Sequence, residues 1–128
     1  MKPLVEATFR TSQKGHRDRL VRIRLDAPRR ARTGEWACRV LATGVTKPTV
    51  IRGGDALQAI CLALDFLGDR LYDARRRGIR LRFLSADDEV PLSAYFRLRE
   101  WKRRLAVIAP KHGAGKVRRS RRRRLTSA

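Results

Sequence analysis

Thr49-Val50-Ile51-Arg52-Gly53-Gly54-Asp55-Ala56-Leu57-Gln58-Ala59-Ile60-Cys61-Leu62-Ala63-Leu64 is the stretch in which the hydrophobic period of this chain changes. Before Gly53 the apolar residues alternate with polar ones, as along a strand. After Asp55 they recur at about 3.6 residues, the period of a helix. Thr49 to Arg52 is β-branched and reads either as a short strand or as an extended lead-in. Gly53-Gly54 breaks it, and Asp55 is a good N-cap type. Gln58, three residues on, completes the capping-box spacing. Leu57, Ile60, Cys61, Leu64, Leu67 and Leu71 form one continuous stripe, so a helix is expected to run to about Arg77 and stop at Gly78. Leu62 and Phe66 lie off that stripe, which calls for a second covering surface.

Upstream, three segments alternate with period two. Val5, Ala7 and Phe9 oppose Glu6, Thr8 and Arg10. Val21, Ile23 and Leu25 oppose Arg22 and Arg24. Trp36, Cys38 and Val40 oppose Glu35, Ala37 and Arg39. The polar turn Gln13-Lys14-Gly15-His16 and the basic loop Arg29-Arg30-Ala31-Arg32 separate them. Downstream, Ile79, Leu81 and Phe83 alternate with Arg80 and Arg82. Asp87-Asp88-Glu89 reads as a turn, and Val90 to Phe96 as an extended return that Pro91 assigns to an edge. From Arg97 the spacing is helical again, with Leu98, Trp101, Leu105 and Ile108 on one face, able to cover Leu62 and Phe66. Pro110 ends it. The expected fold is α+β: an antiparallel sheet of about five strands backed by one long helix, plus a C-terminal amphipathic helix. Residues 1–109 form one domain, and residues 110–128 a disordered basic tail.

The 128 residues suit a single core, and a 42% hydrophobic share excludes a wholly disordered polycation. The net charge is +20, of which residues 97–128 hold +12. Two cysteines far apart do not make a disulfide scaffold, and Cys38 and Cys61 both read as small buried hydrophobes in a reducing cytoplasm. The N-terminus turns polar by Glu6, so it has no secretory apolar core. No run approaches a membrane span. A soluble cytoplasmic protein with no membrane partner is expected.

The charge bounds the partner. Lys111, Lys116, Arg118, Arg119, Arg121, Arg122, Arg123 and Arg124 follow Pro110 with no acid among them. Such a segment repels itself but condenses onto a polyanion and releases its counterions. Nucleic acid, DNA or RNA, is the natural partner. A sheet covered by the helix on its apolar face would project Arg22, Arg24, Arg39, Arg80 and Arg82 from the other, a candidate phosphate-binding plane. A solvated sheet face accounts for the same pattern. No aromatic interleaves these arginines, so base stacking is not expected.

No constellation points to an enzyme. His16 and His112 have no triad-like neighbours in sequence, and Asp87-Asp88-Glu89 is better explained as a solvated hairpin tip than as a cation site. Lys111 to Val117 fails as a phosphate loop, because Pro110 stands where the first glycine belongs and Val117 where Ser or Thr would hold magnesium. No cofactor is expected. The helix from Arg97 could lie on an anionic surface, but packing on the domain explains its four-residue apolar stripe.

The Trp36-Ala37-Cys38 strand and the helix start Gly53-Gly54-Asp55-Ala56-Leu57-Gln58-Ala59 resemble a small bacterial domain of unknown function that carries a W-x-C strand and a G-x-D-x-x-Q-A helix start. The likeness covers about residues 4–96. It implies a compact α+β domain without assigned catalytic residues, of a size seen among immunity-like and other interaction proteins. The expected function is therefore non-enzymatic binding of nucleic acid without sequence preference. The alternative is a protein-interaction module, such as an immunity or inhibitor protein, with an acidic polypeptide as partner.

Overall fold

The computed structural model describes residues 2–96. Strands β1 (Pro3–Ser12), β2 (Arg19–Asp26), β4 (Trp36–Ala42) and β5 (Thr46–Gly53) form a meander, with β3 (Arg29–Arg30) a two-residue continuation after β2. Helix α1 (Ala56–Arg76) follows, and its chain returns to the far side of the sheet as β6 (Arg80–Arg82), beside β1. A short helix, α2 (Leu92–Tyr95), closes the described segment. Every pairing is antiparallel, and from edge to edge the strands run β5, β4, β2 with β3, β1, β6. The expected α+β class and sheet size stand. The expected helix over 97–108, the tail and the boundary at residue 109 lie outside the described residues.

The alternation in the strands places the core. Val21, Ile23 and Leu25 of β2 and Cys38, Val40 and Ala42 of β4 are buried in one core with residues of α1, which lies across β4 and β5. The N-cap forms as its residue types require: Asp55 Oδ1 accepts from the Gln58 amide at 2.8 Å. Gln58 Oε1 reaches one residue further back, accepting from the Gly54 amide. At the other end Arg77 is the C-cap and Gly78 takes a φ of +90°, a conformation that costs residues with a Cβ.

The helix face differs from expectation. Its buried residues are Ala59, Ala63, Leu67, Gly68, Leu71, Tyr72 and Ala74. Leu57 is 71% exposed, Leu62 and Leu64 are each 42% exposed, and Cys61 is an exposed free thiol. Two close approaches explain it. A Cβ on Gly53 would lie 2.6 Å from the Ala59 amide nitrogen, and one on Gly68 would lie 3.0 Å from Phe96 Cδ1. With its first turn this near the end of β5, and Gly68 this near Phe96 beyond α2, the helix takes small side chains at those points, so the alanine line turns inward and Leu57, Leu62 and Leu64 turn out. Leu67 and Leu71 do pack in the core, each contributing about 1.5–3 kcal/mol.

Three smaller departures concern the strands. Thr46–Gly53 is a full edge strand that tolerates Pro48, and Arg29–Arg30 belong to a strand and not to a loop. Val5 is half exposed, on a stretch of β1 that has no second described strand beside it and lies away from β4 and β5, which α1 covers. Val90 to Phe96 begins as the expected return, with an isolated bridge between Arg82 and Glu89 and the Val90 amide donating to Leu81 O at 2.8 Å. It then coils into α2, because Pro91 suits a helix start and Leu92 is drawn into the core.

Candidate nucleic-acid interface

The face of the sheet opposite α1 carries the residues of the other parity: Glu6, Thr8, Arg10 and Ser12 of β1; Leu20, Arg22 and Arg24 of β2; Ala37, Arg39 and Leu41 of β4; Val50 and Arg52 of β5; Arg80 and Arg82 of β6. Arg22, Arg24, Arg39, Arg80 and Arg82 therefore share one surface, and the register adds Arg10 and Arg52 to it. Arg82 stands directly opposite Arg10. Thr8 stands opposite Arg22, so Arg10 and Arg22 are diagonal neighbours. The Arg24–Leu41 pair makes Arg24 and Arg39 diagonal neighbours, and the Arg39–Val50 pair does the same for Arg39 and Arg52. Arginines thus run obliquely from one edge of the sheet to the other, each diagonal step about 7–8 Å.

Carboxylates hold most of this row. Arg10 donates to Asp18 at 2.6 Å and to Asp87 at 2.7 Å; Arg80 donates to Glu89 at 3.1 Å; Arg52 lies 4.0 Å from Glu35. Arg82 donates to Ser12 Oγ at 3.0 Å and to the Asp87 carbonyl at 2.7 Å. The hydrogen bonds from Arg10 pull the Asp87 carboxyl below the usual carboxylate range, and those two acids push the Arg10 guanidinium up. Arg24 Nε donates to Asp26 Oδ1 at 2.6 Å, and Glu6 lies 3.9 Å away. Asp26 is 1% exposed, and its Oδ2 has no hydrogen-bond partner. Arg22 and Arg39 form no ion pair with any described residue, and both are exposed. A shallow depression lined by Glu6, Thr8, Arg22, Arg24, Leu41 and Thr43 lies at the middle of the row.

The acids that the sequence grouped as a hairpin tip therefore serve as counterions: Asp87 for Arg10, Glu89 for Arg80 and Arg75. Among the described residues no group of three His, Cys, Asp or Glu is placed to hold a metal ion, and no helix is long and apolar enough to cross a membrane. The other sulfur is enclosed: Cys38 Sγ donates to the Asp26 carbonyl at 3.1 Å, and burial, then the Asp26 charge, push its thiol pKa up. Arg10 and Arg52 escaped the sequence-based list of site residues although alternation already turned Arg10 outward. Strand register was the missing signal. Lys111, Lys116, Arg118, Arg119 and Arg121 to Arg124 lie outside the described residues.

Residues 5–93 match DUF6968, described as a domain of unknown function. The chain belongs to this family. The match takes in the Trp36–Cys38 strand, the capped start of α1 and all the arginines of the oblique row. No curated protein and no solved structure matches the chain.

Proposed function

We propose that this protein binds nucleic acid without reading its sequence, as a non-enzymatic protein of the cytoplasm. The observation that carries the reading is the oblique arginine row, within which Arg22 and Arg39 form no ion pair among the described residues. Guanidinium forks match phosphate oxygens, and diagonal steps of about 7–8 Å are of the order of the spacing between successive phosphates on a strand. Exposed ion pairs are worth about 0–1 kcal/mol, so Arg10, Arg52 and Arg80 can exchange a carboxylate for a phosphate at little cost. No aromatic side chain lies in the row, which favours backbone contact over base stacking. Lys111, Lys116, Arg118, Arg119 and Arg121 to Arg124 add a sequence-independent electrostatic grip.

The test is a titration of the full chain into a labelled random-sequence duplex at several salt concentrations. If half to all of the tail charges meet phosphates, log K against log salt slopes at roughly −4 to −7. Replacing Arg22 and Arg39 together by Gln flattens the slope by about 2, one for each lost phosphate contact. Binding that is absent at low salt, or indifferent to salt, overturns the reading.

A second reading, a protein-interaction module of the immunity or inhibitor kind with an acidic polypeptide partner, is favoured by the exposed Leu57, Leu62 and Leu64 of α1. Pull-down from native lysate with and without nuclease separates the two: partners lost on nuclease treatment support the first, partners retained support the second.

A further inference from the structure

We propose that the depression in the middle of the arginine row selects ribose, so that the row engages single-stranded RNA in preference to DNA, with Glu6 accepting a hydrogen bond from a sugar 2′-hydroxyl. The inference rests on the nucleic-acid reading of the row and adds which nucleic acid it takes. Register builds the site. Glu6 of β1 stands opposite Arg24 of β2, and Arg24 opposite Leu41 of β4. Two residues along, Thr8 stands opposite Arg22, whose amide donates to Thr43 Oγ at 2.9 Å and whose carbonyl accepts from the Thr43 amide at 3.2 Å. These six residues line a depression of about 350 Å³, within the size range of small-ligand sites. Arg22 and Arg24 form its middle line, with Glu6 and Thr8 on one flank and Leu41 and Thr43 on the other.

Glu6 does not fit a surface made for phosphate alone. Among the described residues it is the one exposed acid inside a strand of the sheet; Asp18, Glu35, Asp87 and Glu89, which restrain other arginines of the row, lie outside the strands. Arg24 does not require it as a counterion. The Arg24 Nε already donates to Asp26 at 2.6 Å, whereas Glu6 stands 3.9 Å away, past hydrogen-bond distance, with 61% of its side chain exposed. An ionised carboxylate only accepts hydrogen bonds, so it repels a phosphate and calls for a donor. Along its backbone DNA presents phosphate and ether oxygens, which are all acceptors. RNA adds a donor at every nucleotide, the 2′-hydroxyl. Glu6 is a diagonal neighbour of Arg22, about 7–8 Å away, the same step that separates Arg10 from Arg22. A phosphate held by Arg22 therefore brings an adjoining sugar beside Glu6. Because the row follows successive phosphates of one strand, a single strand lays its sugars along the same flank.

The experiment uses the full chain, stripped of copurifying nucleic acid in high salt, and measures fluorescence anisotropy with oligouridines of equal length that differ only in the sugar. Ribose, deoxyribose and 2′-fluoro-ribose are compared. The fluorinated sugar keeps the pucker of ribose but has no donor, so it separates the hydrogen bond from sugar shape without any change to the protein. The ribo-oligomer should bind about 5- to 10-fold more tightly than either of the others, the gain expected from one hydrogen bond to an exposed charged group. Glu6→Val, at an exposed strand position, should leave the melting temperature unchanged and bring the three affinities together, in part by tightening the deoxy-oligomer, whose phosphates no longer meet a carboxylate. Equal affinity of the wild type for all three sugars overturns ribose selection and leaves the nucleic-acid reading standing. So does a preference for ribose that the fluorinated sugar shares, or one that survives Glu6→Val. Absence of binding to every oligomer at low salt overturns both.

Discussion

Gly53→Ala tests the close seating of α1. Gly53 ends β5, is buried, and does not need a positive φ, so alanine is allowed there by backbone conformation. Without the helix above it, the change would stabilise the fold by about 0.4–1 kcal/mol through the unfolded chain. The added Cβ would instead sit 2.6 Å from the Ala59 amide nitrogen, 2.9 Å from its Cα and 3.0 Å from the Gln58 carbonyl carbon. All three are backbone atoms of the first turn of α1, and none can swing aside. The turn must retreat by most of an ångström to restore ordinary contact, yet Asp55 and Gln58 tie it to the end of β5 through the two capping hydrogen bonds. Overpacking of this kind costs about 1–3 kcal/mol. Less the unfolded-state gain, the net loss is about 1–2 kcal/mol, or roughly 5–15 °C in melting temperature for a domain of this size. Thermal unfolding followed by circular dichroism, with reversibility checked, reads it directly. Gly54→Ala is the internal control: its nearest contact would be Gln58 Oε1 at 3.3 Å, the movable end of a side chain, and its melt should stay close to wild type. A Gly53→Ala protein that melts at or above the wild-type temperature would refute the reasoning, because the helix would then have slack where the structure allows none.

The seam makes a companion prediction on the helix itself: Ala63→Leu, at a fully buried position, should cost about 1–3 kcal/mol, whereas Leu57→Gln, at a largely exposed one, should stay within about 0.5 kcal/mol by chemical denaturation. Thiol titration should find one fast group, Cys61, and a second, Cys38, that reacts only in denaturant, since it is buried and its thiolate is disfavoured. Asp87 sets an acid dependence. Its folded-state pKa is lowered by Arg10, so its contribution to stability is present above the ordinary carboxylate pKa and is lost as pH falls through the lowered folded value. The gap in melting temperature between wild type and Asp87→Asn should therefore be widest near neutral pH and close in strong acid, and a gap independent of pH would contradict the pairing.

The elements of this fold were legible in the chain wherever the information is local. Strict alternation in Val21–Leu25 and Trp36–Val40 marks two core strands, because a strand's side chains change sides at every residue whatever lies beyond. Asp55, Gln58 and Gly78 mark the ends of α1, because capping engages residues three or four apart. The arginines at 22, 24, 39, 80 and 82 were assigned to one face by the same parity.

Position across elements is what tertiary structure decided. Hydropathy identified the leucine line of α1 as its inner face, since leucine buries more apolar area than alanine. Near Gly53 the depth of the seam reversed that ranking, because the helix lies so close there that Ala59 and Ala63 face inward while Leu57, Leu62 and Leu64 turn out; Ile60, Leu67 and Leu71 of the expected stripe still pack in or against the core. The oblique arginine row depends on how far each strand is offset from the next, and no single strand carries that offset. The acids that restrain the row come from distant parts of the chain: Asp87 meets Arg10 across 77 residues of sequence. By itself the sequence determined where the main strands and the long helix lie and which sides of those strands face the core. Which helix face lies against the sheet, and which charges neutralise one another, followed only from packing, because steric fit and Coulomb interactions depend on distance in space and not on separation along the chain.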